Sequence, residues 1–193
     1  MRRETLIWIA IAGLLLVMIT AALTKQGSAF GIFTQGVSPR TTSGNVSAKD
    51  GPAAPEFAPG TWINSEKLTL KGLRGRVVLV EFWTFGCYNC RNTLPYVKRW
   101  DERYRDKGLT IVGVHSPEFD EEKNIDNVRR ETASLGIRYP VVTDNDYATW
   151  RAYNVEAWPT IFILDKKGHI RWTHVGEGAY DDAEGVIQKL LAE

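Results

Sequence analysis

Cys87 and Cys90 are the only cysteines in the 193-residue chain, and they stand three apart. The run Val77-Val78-Leu79-Val80-Glu81-Phe82-Trp83 before them reads as a buried parallel strand. After them Leu94, Val97, Trp100 and Tyr104 recur at helical spacing. Cys87 is therefore expected where a strand ends and a helix begins, its sulfur facing the unpaired N–H groups of the first turn. Helix N-termini and Cys-x-x-Cys motifs lower cysteine pKa values from about 8.5 to about 3.5–7.5. The spacing keeps Cys90 one turn behind, within reach of a mixed disulfide on Cys87. This pattern points to dithiol/disulfide redox chemistry. A zinc site would need a second pair of cysteines, which the sequence lacks, and no metal or cofactor is implied.

The elements that must hold this pair alternate along the chain. Short strands are expected at Leu68–Lys71 and Pro140–Thr143, and buried ones at Arg76–Trp83 and Leu109–His115. Helices are expected at Tyr88–Arg105, Glu121–Leu135 and Tyr147–Tyr153. Thr160–Asp165 and His169–Val175 flank Lys166-Lys167-Gly168 as a hairpin, and a final helix runs over Asp181–Leu191. Strand–helix–strand order with a closing hairpin and helix gives an α/β fold, a mixed sheet covered on both faces.

Thr5–Thr24 is twenty residues without a charge, flanked by Arg2, Arg3 and Glu4 before and Lys25 after. At about 1.5 Å per residue it spans about 30 Å of hydrocarbon. Residues 1–25 therefore read as a membrane anchor with the N-terminus in the cytoplasm. A cleaved signal peptide ending near Gly27-Ser28-Ala29 is the alternative. Residues 26–60 are rich in Gly, Ser, Thr, Ala and Pro without hydrophobic period, and read as a linker reaching about 30–35 Å. Residues 61–193 are left for one folded domain on the extracytoplasmic side. The net charge of +1 argues against nucleic acid as a partner.

Around the cysteines, Glu81 interrupts an apolar strand. Desolvation there raises its pKa and suits it to proton transfer near neutrality; an ion pair with Lys98 or Arg99 is the alternative. Phe85, Trp83 and Trp158 read either as an apolar collar around Cys87 or as core. His115 ends a strand parallel to the one leading to Cys87, so it belongs to the same sheet edge. It reads as a packing group, a proton donor or a copper ligand.

Several of these stretches resemble the thioredoxin superfamily: Phe82-Trp83, Pro95 after Cys90, and Trp158-Pro159-Thr160 opening a later strand. Val80-Glu81-Phe82-Trp83-Thr84, Cys87-x-Asn89-Cys90, Thr93-Leu94-Pro95-Tyr96 and Gly113-Val114-His115-Ser116-Pro117-Glu118-Phe119 are similar to one branch. That branch is the thioredoxin-like domain of membrane-bound cytochrome c biogenesis proteins, beside TlpA-like and redoxin proteins. The resemblance runs from about Trp62 to the last residue, with Glu118–Thr143 as a redoxin-type insertion. It implies a cis bond at Pro159 against the cysteine pair, with Trp158, Pro159 and Thr160 binding an extended client. It also implies Gly176 in a loop beside the site, and Glu81 accepting a proton from the inner cysteine.

The partners implied are disulfide-bearing protein clients, apocytochromes among them, and a membrane electron carrier as reductant. Gly86 departs from thioredoxin, which has Trp before the first cysteine, and Thr93 stands where TlpA-like proteins often have an acid. Two other functions compete. Peroxide reduction would use Thr84, three residues before Cys87, although Val80 stands where that loop wants proline. A copper carrier would use Cys87, Cys90 and His115.

Overall fold

A computed structural model describes residues 51–193. Its strands are β1 (Trp62–Ile63), β2 (Val77–Trp83), β3 (Leu109–His115), β4 (Val141–Thr143), β5 (Thr160–Leu164) and β6 (Ile170–Val175). Its helices are α1 (Tyr88–Tyr104), α2 (Ile125–Ser134), α3 (Ala148–Ala152) and α4 (Tyr180–Ala192). One mixed sheet runs in the order β1-β4-β3-β2-β5-β6. β2 lies parallel to β3 and antiparallel to β5.

Every residue of β2 is buried, as its near-continuous apolar run requires of a strand covered on both faces. Alternation then splits the strand between two cores. Val77, Leu79 and Trp83 face one with the cysteines, α1 (Leu94, Val97, Trp100) and α4 (Ala183, Val186, Ile187, Leu190). Val78, Val80 and Phe82 face the other, with Phe57, Leu70, Leu73, Tyr153 and Phe162. Glu81 shares the parity of the first set, so its carboxylate falls on the cysteine side.

Three expectations are corrected. Leu68–Lys71 is not a strand: Leu70 begins a turn, and its N–H donates to both carboxylate oxygens of Glu56 at 2.8 and 3.0 Å instead of to a neighbouring strand. The helix expected from Glu121 breaks in two. Asp120–Lys123 forms a 3-10 turn, and Asn124 restarts the helix, its Oδ1 accepting the Asp126 N–H at 2.8 Å. The end of the expected linker, residues 51–60, packs on the domain. Ala54 N–H donates to Gly168 O (3.0 Å), Ile170 N–H donates to Pro52 O (2.9 Å), and Phe57 is buried edge-on to Trp62.

The expected anchor and residues 26–50 of the linker lie outside the described residues. Among those described, no helix is long and apolar enough to cross a membrane.

Candidate active site

Cys87 is the N-cap of α1, its backbone extended at φ −70° and ψ 118°. From there its Sγ accepts the N–H of Cys90 at 3.1 Å, one of the donors that a helix start leaves unpaired. The two cysteines form a disulfide, with Cα atoms 5.3 Å apart. Cys87 is 9% exposed and Cys90 3%. The difference decides their order of access, because Cys87 lines an open groove of about 440 Å³ and Cys90 does not. Gly86, Tyr88, Glu118, Phe119, Glu156 and Trp158 share that groove.

Glu81 is fully buried in β2, and burial pushes its carboxyl up to about 7 even though the Tyr139 hydroxyl donates to it at 3.0 Å. The ion pair weighed from sequence does not form. Lys98 donates to Leu135 O at 2.9 Å, and Arg99 lies 4.8 Å over the Tyr96 ring. Gly113 of β3 pairs in register with Glu81 and keeps this arrangement open. A Cβ there would stand 2.7 Å from Trp83 Nε1 and 3.2 Å from the Tyr139 ring. We expect Gly113→Ala to destabilise the domain by about 1–3 kcal/mol through overpacking, read by urea unfolding; unchanged stability would show that the two rings yield freely.

The loop opposite the cysteines is built around a cis Trp158–Pro159 bond, as the resemblance implies. Gly176 N–H donates to Pro159 O at 2.8 Å, which brings the two named loop residues together. Gly176 has φ +88°, which favours glycine, and nothing lies within 4 Å of where a Cβ would point. Thr160 is buried, and its hydroxyl is spent on Ala157 O at 2.6 Å, so it braces the loop from within. Trp158 is half-buried, its indole N–H donating to Ser116 O at 3.0 Å. Of the three aromatics, Trp83 is core, whereas Phe85 and Trp158 are partly open at the cysteine-side core.

His115 is completely buried between Trp83 and Phe85, with ring centroids 5.3 and 5.6 Å away. Burial pushes its pKa down to about 4, so it is neutral near pH 7. Its Nε2 lies 3.3 Å from the Thr84 hydroxyl, itself completely buried. This is the packing alternative of the sequence reading. Among the described residues no three His, Cys, Asp or Glu side chains are grouped to hold a metal, so the proposed copper set is not assembled. Thr84, which the peroxide reading would use, is thus enclosed beside His115.

Glu122 escaped the sequence reading. It belongs to the run Asp120-Glu121-Glu122-Lys123, which looks like a solvated charge cluster. Yet it is completely buried, and its Oε1 accepts the Gly86 N–H at 2.8 Å. Its Oε2 accepts the N–H groups of Glu118 (2.5 Å) and Phe119 (3.1 Å). Gly86 itself was the signal: a Cβ there would stand 2.5 Å from Glu122 Oε1.

A mixed sheet carrying a Cys-x-x-Cys disulfide at a helix N-terminus, faced by a cis-proline loop, defines a thioredoxin-like dithiol/disulfide domain. Residues 49–187 match the Redoxin family model, and the chain belongs to the redoxin family. It is 42% identical over 133 residues to Protein DipZ of Mycobacterium tuberculosis, a match covering 67% of this chain but only 19% of that one. It is 30% identical to the thiol-disulfide oxidoreductase ResA of Bacillus thuringiensis, covering 72% of this chain and 78% of that one. Among solved structures, a thiol-disulfide isomerase from Corynebacterium glutamicum is 27% identical with a TM-score of 0.66, covering 72% and 97% of the two chains.

Proposed function

We propose that this chain is a thiol:disulfide oxidoreductase, tethered to the membrane with its redox domain on the extracytoplasmic side. The observation that carries the redox part is the groove, in which Cys87 stands at a helix N-terminus beside Trp158 of the cis-proline loop. Tyr88 and Phe119 are exposed in it and suit an apolar, extended client segment. The thiolate of Cys87 attacks a client disulfide, and one client sulfur leaves as a thiol after taking up a proton. Cys90 then gives its proton to the Glu81 carboxylate and attacks Cys87 Sγ. The second client sulfur departs, and the Cys87–Cys90 disulfide remains. Two electrons have passed to the client, and a dithiol donor must return them. The groups used are those seen in the structure, and the similarity to ResA supports the reading. Turnover of a model protein disulfide with a thiol donor tests it; a purified protein no faster than the donor alone would refute it.

The tether reading rests on Thr5–Thr24 and on the resemblance to membrane-bound biogenesis proteins, whose clients would include apocytochromes. With residues 51–60 packed on the domain, the linker read from composition shortens to residues 26–50, for which a random chain would reach about 25–30 Å. A membrane electron carrier within that reach meets the domain at effective concentrations up to about millimolar. Removing residues 1–25 while keeping export is therefore expected to leave chemistry in the test tube intact. In cells the freed domain should accumulate in its oxidised form, read by a mass-shifting thiol reagent. An unchanged reduced fraction would count against the tether.

A further inference from the structure

We propose that Glu122 is a positioning residue that sets the poise of the cysteine pair, biasing it toward donating electrons. The inference rests on the thiol:disulfide reading above and adds a direction to it.

The geometry starts at Gly86, the residue immediately before Cys87. Its N–H is held by Glu122 Oε1, and the missing Cβ is what lets the carboxylate come so close. The other oxygen is held by the N–H groups of Glu118 and Phe119. Burial opposes the charge on Glu122, but bonds from the Thr84 hydroxyl and those three N–H groups outweigh it and leave the carboxyl below its ordinary value. Among the described residues no Lys or Arg pairs with it. An ionised carboxylate without a cationic partner is thus held on the backbone N–H of the residue just before the attacking cysteine.

A like charge disfavours a thiolate, while it leaves the uncharged disulfide untouched. The reduced form of the pair is therefore less favoured than the helix N-terminus alone would make it. A less stabilised reduced form means a stronger reductant, the reverse of an oxidant such as DsbA. The other charged groups near Cys87 do not cancel this. Glu118 and Glu156 in the groove carry the same sign, His115 is neutral near pH 7, and Glu81 lies behind the pair on Tyr139. Arg91 on α1 is the nearby cation, and its Nε is engaged with Phe85 O at 2.9 Å.

The test is an exchange equilibrium with glutathione at pH 8, in which two glutathione thiols reduce the Cys87–Cys90 disulfide and leave as oxidised glutathione. The Cys87 pKa is read alongside from alkylation rate against pH. Glu122→Gln keeps the size and removes the charge. It is expected to lower the Cys87 pKa and shift the equilibrium about tenfold toward the dithiol, equivalent to about 30 mV for a two-electron couple. Glu122→Asp keeps the charge but is one methylene too short to hold Gly86; it should melt earlier yet stay within about threefold of the parent equilibrium.

A Glu122→Gln protein with unchanged pKa and equilibrium overturns the proposal, leaving Glu122 a structural clamp. Should that variant not fold, the parent protein still decides. A Cys87 pKa near 7 or above supports the proposal, and one below about 5, as an unopposed helix N-terminus allows, overturns it. A parent pair that never exchanges with glutathione would instead sink the oxidoreductase reading itself.

Discussion

Replacing Glu81 with Gln is expected to stabilise the folded domain at pH 8 by about 3 kcal/mol while slowing the step that releases the client. Burial raises this carboxyl from 4.5 to about 7 in the fold, whereas the unfolded chain keeps the ordinary value. Below pH 4.5 both states are protonated and the group costs nothing. As pH rises toward 7 the unfolded chain ionises while the fold does not, so stability is lost across that window. Above 7 the loss is complete, at about 1.4 kcal/mol per pH unit between the two values. Gln keeps the shape and does not ionise, so its stability should be flat over the same range. Urea unfolding of the oxidised protein at pH 5 and pH 8 measures this. Parallel pH profiles for the two proteins would mean that Glu81 is solvated and ordinary. The kinetic cost should appear in resolution, because an amide cannot take the proton from Cys90. General-base catalysis contributes about 10²–10⁴-fold, so stopped-flow release of the second client thiol should slow by about a hundredfold or more.

The second large effect is expected at the cysteines. Cys90→Ser should leave Cys87 able to attack and unable to be released, so that a mixed disulfide with the client accumulates. Effective molarities for well-oriented intramolecular attack reach about 10⁵–10⁸ M. Millimolar external thiol cannot replace that, and turnover should fall by about 10³-fold or more. Cys87→Ser should abolish turnover without trapping anything, since the buried Cys90 does not line the groove. Non-reducing gels and mass spectrometry of the two variants distinguish these outcomes. Trapping through Cys90 in the Cys87→Ser protein would reverse the assigned order of attack.

Much of the machinery was legible because it is written in local pattern. An apolar run with a single charge, a Cys-x-x-Cys pair and a following 3.6-residue period place the sulfurs at a strand–helix junction whatever the rest of the chain does. Glu81 stood out for the same reason, as one charge inside that run. The cis bond at Pro159 came from resemblance, since a strand-entry proline looks alike in either isomer.

What the sequence by itself determined, then, is the reactive pair, the strand and helix that present it, and a carboxylate on the same face. Only the tertiary structure decided what those groups feel. Tyr139 lies 58 residues from Glu81 and reaches it across β3, where Gly113 leaves room. Residues 51–60 look like linker by composition, yet the hairpin's free edge takes their backbone as a partner. Glu122 looks solvated by its neighbours, but a 3-10 turn aims it at three N–H groups that need an acceptor. The physical reason is common to all three. Burial and hydrogen bonding are settled by which polar groups lack a partner after the chain has come together, and side-chain type along the sequence does not encode that.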